Sequence, residues 1–192
     1  ITEKPIKTVI YTHFHADQVS GTKAFITDEQ LATGGVEVIG QEDLTDHVVR
    51  DVGLIAPILG RRAMYQFGMR LPIGENGTVG AGLGPPQRPG RRTFVAPTKT
   101  FNKFYEGETG GIMFEIHHIP SETEDQCAVW LPRQKTLLSA DAVYESFPNI
   151  YALRGTRFRN PMTWANGVDR LRDFKAEVLV PHHGHAVEGA EK

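Results

Sequence analysis

Apolar and polar positions along the chain change their period several times, and each change marks an element. Lys7 to Thr12 (KTVIYT) is a β-branched and apolar run that comes after Pro5 and ends in polar residues, which predicts a buried strand feeding a loop. Gly21 to Phe25 opens a short helix, and Val36 to Ile39 (VEVI) reads as a second strand. A strand, loop, helix and strand in that order imply a parallel crossover and an α/β sheet. From Glu42 to Gln66 the apolar positions Leu44, Val48, Val52, Ile55 and Leu59 recur at helical spacing, with Pro57 predicting a kink or break, so one or two helices are expected. Gly74 to Arg92 is too rich in glycine and proline for a regular element and reads as a long loop. Strands are expected at Thr93 to Ala96, Ile112 to His117, Cys127 to Leu131 and Thr136 to Ser139. A helix comes next over Trp164 to Phe174, then a final strand, Glu177 to Pro181 (EVLVP), running into His182, His183, Gly184 and His185. The chain shows no internal repeat and no low-complexity tract.

Composition narrows the class. A chain of 192 residues fits one domain with a sizeable core, and 40% hydrophobic with 23% charged residues excludes wholesale disorder and a coiled coil. The net charge of -2, from 21 basic and 23 acidic residues, gives no general attraction to nucleic acid or anionic membrane. No apolar run reaches the roughly 20 residues that span a bilayer. The single cysteine, Cys127, excludes an intramolecular disulfide and any multi-cysteine metal site, leaving His, Asp and Glu as candidate ligands.

Those ligands have a focus. Thr12-His13-Phe14-His15-Ala16-Asp17-Gln18 stands directly after the first predicted strand. Side chains alternate along an extended segment, so His13 and His15 are expected to point the same way and grip one ion, with Asp17 continuing that face. Imidazole and carboxylate donors suit Zn(II). A lone HxH pair is most often solvent-facing surface. Here it sits at the C-terminal end of a strand, where sites of open α/β sheets collect, and Glu122, Asp141 and His183 recur after later predicted strands.

THFHADQ resembles the THxHxDH signature of the metallo-β-lactamase superfamily. Arg61 to Gly68 (RRAMYQFG), Gly77 to Gly84 (GTVGAGLG), Pro120 to Gln126 (PSETEDQ) and Phe147 to Gly155 (FPNIYALRG) are similar to its alkyl and aryl sulfatase branch. The resemblance implies an α/β fold, the αββα sandwich, with residues 1–192 as a catalytic domain. It implies that His13, His15 and Glu122 hold a first zinc ion, that Asp17, Gln18 and His183 hold a second, and that Asp141 bridges the two. Asp141 and Asp17 would take catalytic roles, Asn149 and Arg154 would bind the sulfate group, and Tyr65 would line the pocket. The implied reaction is cleavage of an alkyl sulfate ester, a small-molecule substrate, to alcohol and inorganic sulfate by a metal-activated hydroxide. Relatives in this branch form homodimers.

The chain departs from the pattern in two places. Gln18 stands where the signature has histidine, and an amide oxygen is a poor zinc donor, so the second site is expected to be weak or empty. Only twelve residues precede His13, where the superfamily places several strands, so the N-terminal half-sheet is expected to be missing from a truncated chain. Two other readings stay open: another hydrolase of this fold acting on a lactone, thioester or phosphoester, or a metal-poor inactive remnant. Outside the motif, His117 and His118 are read as structural or supporting groups, and His47 as a surface helix residue.

Overall fold

The computed structural model describes residues 3–82, 84 and 90–189. The chain opens with β1 (Thr8–Ile10), then α1 (Ala16–Val19), a 3₁₀ turn over Thr22–Ala24, and α2 (Asp28–Ala32). Thr27 caps α2 by accepting from the Gln30 amide while the Gln30 side chain accepts from the Thr27 amide, a reciprocal pair that satisfies two otherwise orphaned donors. β2 (Glu37–Gln41) returns parallel to β1, with Val9 opposite Val38, and β3 (Lys99–Phe101) lies parallel on the far side of β2. This three-stranded sheet therefore contains the expected crossover.

Between β2 and β3 run α3 (Leu44–Val48), a π-helical stretch over Val49–Leu54, and α4 (Ala56–Gln66). The run is interrupted beside Pro57, as expected. Pro57 itself stands in the first turn of α4, where its missing N–H costs nothing, and the interruption falls two residues earlier, at Ile55. The expected strand at Thr93 to Ala96 is also corrected: only Thr93 makes a bridge, to Gly21, and the strand begins at Lys99. Thr98 explains the shift, because its hydroxyl and backbone amide both engage the Val38 backbone before regular pairing starts. Within the expected loop from Gly74 to Arg92, Leu83 and residues 85–89 lie outside the described residues, and Ile73 bridges Thr78.

The second sheet has six strands, in the order β4 (Phe104–Thr109), β5 (Ile112–His118), β6 (Cys127–Leu131), β7 (Thr136–Ala140), β8 (Val178–Pro181) and β9 (Val187–Glu188). β4 to β7 pair antiparallel, β8 runs parallel to β7, and β9 pairs antiparallel with β8. The β4–β5 hairpin turns through Gly110 and Gly111, both at positive φ. The long connection after β7 carries α5 (Pro161–Arg172), which is capped by the Asn160 side chain.

Period-two alternation sorts the core into layers. In β2, Val38 faces Leu44, Val48 and Val19, whereas Ile39 faces Phe101, Phe114 and Ile116. In β6, Cys127 and Val129 join that same central cluster, while Ala128 points the other way with Leu137 and Leu171. Helices thus cover one sheet, the two sheets pack on each other, and α5 covers the second sheet, giving an αββα sandwich. β5, β7 and β8 run in the same direction, so the segments leaving their C-terminal ends gather at one edge. The end of β1 is brought to that edge by the bond from the Cys127 amide to the Thr12 carbonyl, 2.8 Å across the seam.

α5 reaches the edge closely. A Cβ placed on Gly167 would stand 2.9 Å from the Pro120 carbonyl oxygen, on the segment that leads to Glu122. Gly167→Ala would gain about 1 kcal/mol in helix propensity, yet the clash is with backbone and costs about 1–3 kcal/mol. The variant is expected to lower the melting temperature, and a rise in a thermal scan would contradict this packing.

Candidate metal centre

β1 ends at Ile10, and the Tyr11 hydroxyl anchors the exit from the strand by bonding Thr22 Oγ1 at 2.6 Å and the Val95 carbonyl at 3.0 Å. His13 is completely buried. Phe14 stacks on His47 with ring centroids 5.1 Å apart, and His15 stands at the N-cap of α1. The imidazoles therefore do not alternate along a strand, as the sequence suggests. The chain bends between them, and the bend brings His13 Nε2 to 2.9 Å from His15 Nδ1. Asp17 likewise leaves the expected face, because it belongs to the first turn of α1.

Two carboxylates meet this pair from other segments. Glu122, in the β5–β6 loop, places Oε2 3.2 Å from His15 Nδ1 and 3.6 Å from His13 Nε2. Asp141 comes directly after β7, where Ala140 turns at a φ of 52°, and its Oδ2 lies 3.4 Å from His13 Nε2. One ligand atom from each of His13, His15, Glu122 and Asp141 lies within 4.8 Å of all the others. The indole of Trp164 holds the Asp141 segment by donating to the Ala142 carbonyl at 2.9 Å.

Of the remaining expected residues, His183 and Asp17 border this set. His183, after β8, has Nε2 3.2 Å from Asp17 Oδ2 and 3.6 Å from Asp141 Oδ1. Gln18 lies outside the four and donates its amide to Asp17 Oδ2 at 3.0 Å. Arg154 is half-buried, its backbone amide donating to the Gln66 side chain at 2.8 Å and its guanidinium lying against the Phe67 ring. Burial, then the nearby charge of Arg159, lowers the Arg154 pKa from its ordinary value. The Asn149 carbonyl accepts from Arg159, and Tyr65, on α4, is exposed with its hydroxyl near Arg70. His117 pairs with Glu115, and His118 with the Glu124 carbonyl, apart from the cluster. His47 is not a surface residue: it is 8% exposed, stacked on Phe14 and bonded to Arg50.

Electrostatics makes the arrangement uncomfortable without a cation. Burial, then the neighbouring His15, lowers the His13 pKa well below its usual value, so its imidazole is neutral, the form that coordinates metals. Thr12 Oγ1 lies 3.1 Å from His13 Nδ1; a proton on that nitrogen leaves the Nε2 lone pair aimed at the cluster. Burial opposes ionisation of Glu122, but His15, Arg159 and His13 together hold its carboxyl well below the ordinary range. Burial and the charges of Glu122 and Asp17 push the Asp141 carboxyl up to about 8. Glu122 Oε2 and Asp141 Oδ1 are buried without a hydrogen-bond partner among the described residues. Two converging acceptors and two imidazole nitrogens fit a divalent ion of borderline softness.

Two further buried groups carry no motif that would have exposed them. Arg159 pairs with Glu122 at 2.6 Å, and its side chain is 5% exposed. Asp125 is fully buried, and that burial pushes its pKa up. Arg159 sits in an irregular loop with no periodic signal. Asp125 lies inside PSETEDQ, where only its place in that segment distinguishes it from a surface acid.

The chain is 42% identical over 193 aligned positions to a linear primary-alkylsulfatase of Pseudomonas sp., covering all of this chain and 37% of that protein. It is 33% identical over 186 positions to an alkyl/aryl-sulfatase of Saccharomyces cerevisiae, covering 94% of this chain and 29% of the relative. It superimposes with a TM-score of 0.92 on a stereoselective inverting sec-alkylsulfatase from Pseudomonas sp., at 27% identity over 100% of this chain and 31% of that one. The chain thus spans about a third of the length of these proteins. Residues 1–185 match the family described as the metallo-beta-lactamase superfamily, and with the αββα sandwich and the buried histidine and carboxylate cluster at its edge, the chain belongs to that superfamily.

Proposed function

We propose that this chain is the metal-binding catalytic portion of a zinc-dependent alkyl sulfatase, cleaving alkyl sulfate esters to alcohol and inorganic sulfate. The observation that carries the reading is the meeting of His13, His15, Glu122 and Asp141 within 4.8 Å, in a chain similar to alkylsulfatases throughout its length. His13, His15 and Glu122 would hold the first ion, with Asp141 placed to share it. Asp17 and His183 would hold a second, weaker ion, because Gln18 is engaged with Asp17 and contributes no imidazole. A bound zinc ion supplies Lewis acidity, which brings the pKa of a water to about 7.

The protein's own residues do the rest. Asp141 and Asp17 would orient the attacking water by accepting its hydrogens. Arg154 and Asn149 bind the sulfate oxygens; a planar guanidinium suits a tetrahedral oxyanion and offsets its charge. Arg154 is suited to the task because it makes no ion pair among the described residues and is already partly desolvated. The alkyl tail would run along the wall around α4, where Ile58 and Tyr65 are exposed beside Arg62, whose guanidinium abuts Gly155.

Removing metal with a chelator is expected to abolish sulfate release and lower thermal stability by about 2.7 kcal/mol relative to protein held at 100 times its Kd. Equal stability with and without zinc would oppose the metal reading. Arg154→Ala should lower kcat/KM for a primary alkyl sulfate by about 10–100-fold, the loss of one charge-assisted contact. Sulfate turnover left unchanged while another esterase activity falls would move the substrate to a lactone, thioester or phosphoester.

Stability should also depend on pH through Asp141. An Asp whose folded pKa is raised to about 8, above its unfolded value near 3.9, favours the metal-free fold when protonated, and that contribution is full below about pH 4 and is lost progressively as pH climbs from there through 8. Metal-free Asp141→Asn removes the titration. It is expected to melt a few degrees above metal-free wild type at pH 8, at about 2–4 °C per kcal/mol, and to show less advantage at pH 5. A variant that melts lower at pH 8 would contradict the buried repulsion.

A further inference from the structure

We infer that Arg159 is a positioning residue whose guanidinium fixes Glu122 for metal binding and ties the segment bearing Asn149 and Arg154 to that ligand. The inference rests on the proposed metal centre and adds a residue that the histidine motif does not contain.

One nitrogen makes both connections. Arg159 Nη1 pairs with Glu122 Oε1 at 2.6 Å as an ion pair and donates to the Asn149 carbonyl oxygen at 2.7 Å, so one end of the guanidinium touches two separate segments. The Arg159 backbone amide donates to the Ile150 carbonyl at 3.1 Å, which closes the 150–159 segment on itself. The residue is 7% exposed, so the contacts are shielded from water and competition for them is weak.

The consequence for Glu122 is directional. A glutamate has three rotatable bonds, and a free carboxylate would present either oxygen in several poses. With Oε1 held by Arg159, the other oxygen, Oε2, is the one that faces His15 Nδ1 at 3.2 Å and His13 Nε2 at 3.6 Å, without a hydrogen-bond partner among the described residues. The charge of the guanidinium also compensates a buried anion before any ion arrives. Such supporting contacts commonly change metal affinity by about 10–100-fold. The hydrogen bond to Asn149 gives the guanidinium a further role. A shift of Glu122 is felt at the Asn149 carbonyl, and hence along the segment that would bind sulfate.

The test uses cobalt(II) as the probe, titrated into metal-free wild type, Arg159→Gln, Glu122→Gln and the double variant, with far-UV circular dichroism as the folding control. Arg159→Gln is expected to weaken the first-site cobalt Kd by about 10–100-fold, shift its visible absorption and raise KM for an alkyl sulfate. In the Glu122→Gln background the same change should weaken the Kd by less than about threefold, because the arginine acts through that carboxylate. Arg159→Lys keeps the charge and serves if Arg159→Gln fails to fold. It should still weaken the Kd at least about threefold, since an ammonium on a shorter stem does not reproduce the planar fork. Wild-type protein that takes up cobalt while Arg159→Gln, or in its place Arg159→Lys, binds as tightly overturns this inference alone, as does an equal loss in both Glu122 backgrounds. Wild type that takes up no cobalt overturns the metal reading and this inference with it.

Discussion

Two carboxylates, Glu122 and Asp141, are packed against two imidazoles, with two of their buried oxygens lacking a hydrogen-bond partner among the described residues, and much of the structure serves to hold them there. Burying acceptors in this way costs several kcal/mol unless something positive arrives. Arg159 supplies part of the answer through Glu122 Oε1, and the rest of the cluster is left facing a single point. That unfinished electrostatics is the physical basis of the metal reading. The same four side chains arranged on a surface would carry no such weight.

The fold achieves the convergence by geometry more than by local sequence. β5, β7 and β8 deliver Glu122, Asp141 and His183 to one edge of the second sheet, while β1, in the other sheet, delivers His13 and His15. The two contributions meet because the Thr12 carbonyl accepts from Cys127 at the start of β6. Tyr11, locked by Thr22 and Val95, keeps the exit from β1 in register. A slip of the β1 exit by one residue would exchange His13 with Phe14 and lose the site.

The sequence carries the sheets well where strands are buried on both faces. Cys127 to Leu131 is apolar throughout, and Val38 and Ile39 are apolar on opposite faces of β2, because each side meets a different layer. It carries less where polar residues dominate. β4 (FYEGET) pairs through backbone while exposing alternate charged side chains, and Thr93 to Ala96 has strand composition but yields its pairing to Lys99–Phe101. Of the site, the residues of the histidine motif and the acids that come after β5 and β7 stand out in the sequence. Their mode of approach does not, because bends and helix turns, unlike strand alternation, leave no periodic mark. Arg159 and Asp125 stayed hidden for the same reason: burial beside a charge singles them out, and burial is a property of the folded chain.

The most direct test of the metal centre is a crystal structure of the protein grown with zinc, with the ion located from its anomalous scattering. A peak is expected about 2.0–2.2 Å from His13 Nε2, His15 Nδ1 and Glu122 Oε2, with Asp141 alongside. A zinc-grown crystal with no peak there, and those four side chains turned to other partners, would contradict it.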